Sequence, residues 1–267
     1  MKAQVTLTPA ESKRLIGKAV ANMDEVKKAL KKGIVIIALG TTNAYVAEEI
    51  LGKKLNKSLF AAGIVTPRGT CHTPPDKRAR EIVIKKGKVT ELRLGDVLGE
   101  LGSEDVFIKG ANAIDPEGHA AVFTADPYGG TVGKALGVVM ARGVHYIIPV
   151  GLEKFVSCSL KEASKKVGTM KIDMSMGTAI GLTLAMGRIV TEIEALRILA
   201  GVEATPLGAG GVGGAEGAVT LLLEGDDNKV MKAWNIIRGL KNEKRLEAVG
   251  ADCKTCAFHC IYRLKRQ

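Results

Sequence analysis

Residues 34–39, Ile-Val-Ile-Ile-Ala-Leu, carry no polar side chain, and Gly-Thr-Thr-Asn follows them at once. An apolar run that is short, β-branched and bounded by a glycine turn fits a strand covered on both faces, which is the condition of a strand inside a parallel sheet. Residues 44–51 read as a helix and residues around 60–65 as a second strand. Strand, tight turn, helix and strand make a βαβ unit, whose two strands run parallel. The pattern recurs as a strand at 105–108, a helix at 131–142 and a strand at 145–150. The chain is therefore expected to be an α/β protein built on a parallel sheet.

Upstream, Thr8-Pro9-Ala10-Glu11 has the form of a capping box with proline at the first helical position. Leu15, Ile16, Ala19, Val20, Met23, Val26 and Leu30 then recur at helical spacing, which predicts one helix stopped by Gly33. Residues 66–77, rich in Pro, Thr and Gly, read as a loop. Beyond about residue 171 a helix is predicted at 191–199, a strand at 218–224 and an amphipathic helix at 227–240. The expected organisation is a sheet domain over 1–170, a smaller α+β unit over 171–250 and a Cys-rich, basic tail over 251–267.

A net charge of +11 spread over scattered Lys and Arg reads first as a solvated basic surface; of anionic partners, phosphate-bearing metabolites come ahead of nucleic acid, since aromatics are only 4%. No apolar run is long enough to span a membrane, and the first residues have no apolar signal core, so the cytoplasm is the expected compartment. The expected partners are a small anionic metabolite and other copies of the chain, with no membrane.

Three turns can carry chemistry. Gly40-Thr41-Thr42-Asn43 lies between a buried strand and a helix, where free amides and hydroxyls suit an anion; it also reads as a plain turn with an N-cap. Lys109-Gly110-Ala111-Asn112-Ala113-Ile114-Asp115 crowds charged and amide groups at one strand end. Lys109 suits a phosphate or carboxylate, and Asn112 and Asp115 suit hydroxyls or proton handling; alternatively Asp115 to Gly118 is a β-turn. Gly129-Gly130-Thr131 opens the next helix with further amides.

These pieces in this order, followed by Tyr146-Ile147-Ile148-Pro149-Val150 and Gly151-Leu152-Glu153-Lys154-Phe155-Val156, resemble the superfamily of ribose-5-phosphate isomerase, glucosamine-6-phosphate deaminase and CoA transferase, over roughly residues 10–158. The resemblance implies a Rossmann-like sheet with a site at its strand ends. It implies that Gly40, Thr41 and Thr42 form a phosphate loop, that Gly110, Ala111, Asn112 and Asp115 match the acidic turn of the isomerases, and that Lys154 matches a lysine after a late strand. Lys109 and Asn112 stand where the isomerases carry acids, and their catalytic glutamate has no counterpart in 131–142. Simple aldose–ketose isomerisation is accordingly not expected.

Two features lie outside the resemblance. The stretch from Gly208 to Gly217 holds six glycines and can serve as a phosphate loop, a lid or a linker. Cys253, Cys256 and Cys260 fall within eight residues. Such spacing suits an iron–sulfur cluster or, with His259, Cys71 or Cys158 as a fourth ligand, zinc. The three thiols also share a helical face and can be core, or two can form a redox pair. The leading expectation is an enzyme acting on an anionic metabolite beside a Cys-bound metal, with Lys109, Asn112 and Asp115 catalytic and Gly40–Asn43, Gly110, Gly129–Thr131 and Lys154 binding substrate. A non-catalytic metabolite or redox sensor and an RNA-binding module are the alternatives.

Overall fold

The computed structural model describes residues 1–254 together with Cys256, Phe258, Cys260 and Ile261. In chain order, β1 (Lys2–Leu7) precedes α1 (Pro9–Asn22), α2 (Asp24–Lys32), β2 (Ile34–Ile37) and α3 (Thr41–Leu51). The strands β3 (Gly63–Thr66), β4 (Gly69–His72), β5 (Ile82–Lys85) and β6 (Lys88–Thr90) follow, then α4 (Leu94–Val97), β7 (Val106–Ile108), β8 (Ala113–Ile114) and β9 (Ala120–Thr124). Next come α5 (Gly130–Ala141), β10 (His145–Pro149), α6 (Leu160–Lys166), β11 (Gly181–Ala185) and β12 (Arg188–Val190). The chain continues through α7 (Glu192–Ala200), β13 (Glu203–Gly210), β14 (Ala218–Glu224) and α8 (Asp227–Leu240).

The central sheet has six strands in the order β12-β10-β7-β2-β5-β6. β12, β10, β7 and β2 are mutually parallel, whereas β5 runs antiparallel to β2 and β6 antiparallel to β5. The sheet is therefore mixed, not purely parallel. The apolar run of β2 has the expected cause. Val35 and Ile37 point into one core with Leu15, Val20, Val46 and Leu221. Ile34 and Ile36, on the opposite face, join a second core with Leu94, Val122 and Val139. Alternation of side chains along a strand splits one apolar run between two layers.

Several expectations need correction. The helix predicted to run to Leu30 is two helices, broken by extended backbone at Met23 (φ −65°, ψ 140°). The strand predicted near 60–65 does not join the main sheet. It forms β3, which among the described residues pairs only with β4, in a two-stranded hairpin across part of the expected loop. Its side chains alternate between exposed and half-buried, with Val65 65% exposed, so nothing draws it between covering layers. The glycine stretch is the end of β13 and the connection to β14. The last strand and helix fall at 218–224 and 227–240, as predicted.

β1, β14 and β13 form a separate antiparallel sheet. β1 pairs with β14 from Lys2↔Glu224 to Leu7↔Val219, so the first strand of the chain belongs to the sheet of its last third. The expected boundary near residue 170 thus falls between segments that share a sheet and a core. No helix among the described residues is long and apolar enough to cross a membrane.

Candidate functional site

The three parallel strands β2, β7 and β10 end side by side, and their ends are fastened together. The Asn43 side-chain amide donates to Ala38 O (2.7 Å) and Ile108 O (3.3 Å), tying the ends of β2 and β7. Lys109 Nζ donates to Leu39 O at 3.1 Å. Gly110 fits between strands because a Cβ there would lie 2.9 Å from Pro149 O. Beyond β10, Lys154 Nζ donates to Ala111 O at 2.8 Å. Gly40 and Lys109 therefore meet at one edge, as the two strand–turn readings required.

This edge floors a cavity of about 1160 Å³. Gly40, Thr41, Thr42, Asn43, Lys109, Gly110, Asn112, Gly129, Gly130, Thr131 and Lys154 all line it. Gly129 and Gly130 have φ of 75° and 59°, a turn that admits the chain to α5 and that side-chain-bearing residues adopt with strain. Asp126 Oδ1 already accepts the N–H groups of Tyr128 (2.9 Å) and Gly130 (3.2 Å). Thr42 Oγ1 and Asn43 Oδ1 are buried and have no hydrogen-bond partner among the described residues. Buried polar atoms are costly to leave unpaired, which makes these two oriented sites for a ligand or water.

The electrostatics favour an anion. Burial, reinforced by the nearby Lys154 charge, pushes the Lys109 ammonium down to about 8. Burial likewise lowers Lys154 to about 8, against the attraction of Glu153 and Glu192. Arg78, Arg80, Arg93 and Lys134 add positive charge to the lining, offset in part by Asp76, Glu81, Asp126 and Asp252. His72, also in the lining, is held below the usual imidazole range by burial and the Arg78 charge.

Asp115 does not line the cavity. It accepts the N–H groups of Glu117 (3.1 Å), His119 (2.8 Å) and Leu160 (2.9 Å), and its Oδ2 lies 3.2 Å from His119 Nδ1. Burial opposes its charge, but these donors hold its carboxyl below the usual range. Asn112 Oδ1 accepts Phe123 N–H at 3.0 Å, so the residue sits at the cavity on a fixed hairpin. The stretch 208–217 is absent from the lining, whereas Cys256 is present. Cys253 and Cys260 are half-buried, and His259 lies outside the described residues. Among the described residues, the potential metal ligands whose atoms lie within 4.8 Å of one another are Asp115, Glu117 and His119; the C-terminal thiols are not drawn together in this way.

Arg78, Arg80, Arg93 and His72 also line the cavity, and no motif in the sequence marks them; Cys71 is there too, as a cavity residue and not only as a candidate metal ligand. The basic run after Pro74-Pro75 has no periodicity that would assign it to an element or a site. No family model matches the chain, and neither a curated protein nor a solved structure matches it.

Proposed function

We propose that the protein is a cytoplasmic enzyme acting on a small anionic metabolite, phosphorylated or carboxylated, at the C-terminal edge of a Rossmann-like sheet of the kind used by the sugar-phosphate isomerase and CoA transferase superfamily. The observation that carries this reading is the pair of half-buried lysines, Lys109 and Lys154, held at strand ends over a large cavity whose lining also includes the N-terminus of α3. Lys109 would hold the anionic group in its charged form. With its pKa near 8 it can also exchange a proton near neutral pH. Thr42, Asn43 and Asn112 would orient the ligand. Asp115, occupied by its four donors, acts as a positioning residue that fixes the hairpin carrying Asn112. The C-terminal thiols would hold an iron–sulfur cluster or zinc beside the cavity.

A non-catalytic sensor on the same scaffold is the second reading. It is favoured by the engagement of cavity carboxylates in structure: Glu81 accepts Leu94 N–H (3.1 Å), and Asp126 and Asp252 accept amides of their own turns. Residues 131–142 contain no acid.

Calorimetric titration with inorganic phosphate, sugar phosphates and dicarboxylates tests both readings. Lys109→Ala should weaken the ligand that binds by ~1.5–3 kcal/mol, the worth of a charge-assisted hydrogen bond. Unchanged affinity would remove Lys109 from the site. Consumption of the bound ligand by the wild type supports the enzyme, and binding without turnover supports the sensor.

A further inference from the structure

Cys71 lies some 180 residues from the C-terminal cysteines in sequence, yet the fold sets it against the start of the segment that carries them. It sits on β4, and a Cβ added to Gly250 would lie 3.5 Å from its Sγ. Described residues that follow contact the β3–β4 hairpin and its neighbours. Ala251 N–H donates to His72 O at 3.0 Å. Cys253 Sγ lies 3.6 Å from Arg68 Nη1, at the hairpin turn. The Phe258 ring meets the His72 ring edge-on, with centroids 4.8 Å apart. Ile261 N–H donates to Ser175 O at 3.2 Å, and Ser175 in turn donates to Gly177 O, whose residue bridges to Thr70 beside Cys71. Cys71 and Cys256 line the same cavity. Cys158 takes no part in this cluster of contacts and is exposed.

We propose that Cys71, Cys253, Cys256 and Cys260 form one four-thiolate metal site that pins the C-terminal segment to the hairpin and so completes the cavity wall. The inference rests on the reading of the C-terminal thiols as metal ligands, and it adds the ligand that the trio lacks. Four thiolates match the donor set of a closed tetrahedral zinc site and equally that of a cluster with every iron capped. Coordination would draw the sulfurs closer than they lie here, so metal binding and docking of the segment are one event. With all ligands supplied by the chain, the centre shapes the site and leaves no position for substrate.

The test uses the full chain purified without oxygen, with zinc, iron and acid-labile sulfide measured in the wild type and in Cys71→Ser, Cys256→Ser and Cys158→Ser. One zinc, or iron with matching sulfide, should be bound per chain, and the sulfide assay separates the two. Cys158→Ser should retain the metal. Cys71→Ser and Cys256→Ser should weaken it by at least about tenfold, a loss already seen when an outer-shell partner is removed. Because Cys71→Ser could perturb the hairpin, cobalt(II) substitution of the wild type provides a second readout: its sulfur-to-metal charge-transfer intensity should correspond to four thiolates. Full retention in Cys71→Ser with loss in Cys256→Ser, or a three-thiolate cobalt spectrum, overturns the role of Cys71 and leaves the C-terminal trio standing. A wild-type protein that takes up neither zinc nor iron overturns both.

Discussion

Lys109 and Lys154 share a carbonyl-lined strand edge, and each has its ammonium lowered to about 8 by burial. Their charge, and with it the pull on an anion, should fade as pH rises through 8. Sulfate is a suitable probe because its own charge is constant there. Its affinity should fall between pH 7 and pH 10, and a flat profile in calorimetry would mean that neither lysine meets the anion. A bound anion favours the charged ammonium, so the fall should come at higher pH in the complex than in the free protein. Behind Lys154 lies a different residue-scale tension. Glu192 is fully buried, and burial together with the Glu153 charge lifts its carboxyl to about 6. One of its oxygens accepts Leu152 N–H at 2.9 Å, and the other is without a partner among the described residues. An acid whose pKa rises on folding stabilises the fold below its unfolded value, near 4.5, and that contribution is lost as pH climbs through about 6. Glu192→Gln keeps an acceptor for Leu152 and removes the charge. It should raise the melting temperature at pH 8, by a stability on the order of 2 kcal/mol, and change it little at pH 4.5. Equal effects at the two pH values would show that Glu192 titrates normally.

At the scale of elements, pattern succeeded where one layer dictated it. β2, β7, β10, α5 and α8 were legible because burial on defined faces imposes a period that the side chains must follow. The turns at Gly40–Asn43, Lys109–Asn112 and Gly129–Thr131 were legible with them, since each follows or precedes such an element. Other elements owe their form to partners remote in sequence. β13 carries Pro206 and a glycine-rich end, yet pairs along its length with β14. α1 and α2 merged in the sequence because both bury their apolar faces in one core, so the period runs through the break at Met23. Asp115 looked like a catalytic acid because no local signal discloses the amides of His119 and Leu160 that capture it. The excursion that brings Cys71, His72, Arg78 and Arg80 to the cavity is held by backbone contacts, which leave little trace in side-chain pattern. One such contact is testable. Gly177 has φ of 86°, and a Cβ there would lie 2.0 Å from Thr70 O. Gly177→Ala should therefore break the bridge to β4 and cost about 1–3 kcal/mol. The thermal midpoint should drop, and limited proteolysis should become faster around residues 168–181. Unchanged cleavage there would show that the bridge does not hold the segment.

At the scale of the whole molecule, the question is whether residues 1–170 form a unit that folds alone. The sheet edge suggests that they do not. β12 extends the parallel strands next to β10, and β14 covers β1. α1 packs on α3 and also on α7 and α8. A single core joins Val5, Leu7, Leu15, Ile16 and Val20 to Leu196, Leu221, Leu223, Val230 and Ile237. Lys13 adds an ion pair to Glu153 at 2.9 Å, so the first helix is tied to both ends of the supposed unit. Cutting at 170 would strip the far wall of this core. Burial of one large aliphatic side chain contributes ~1.5–3 kcal/mol, and whole domains are stable by only ~5–15 kcal/mol. Uncovering five such residues on the N-terminal side is enough to exhaust that margin. The core clusters contain no residue beyond Leu240 among those described, so removal of 251–267 exposes none of this surface. A fragment of residues 1–170 should therefore show no cooperative thermal transition and should aggregate. A fragment of residues 1–250 should unfold in one transition, with matching midpoints by calorimetry and far-ultraviolet circular dichroism. A cooperative melt of the 1–170 fragment would refute the shared core and restore two independent domains.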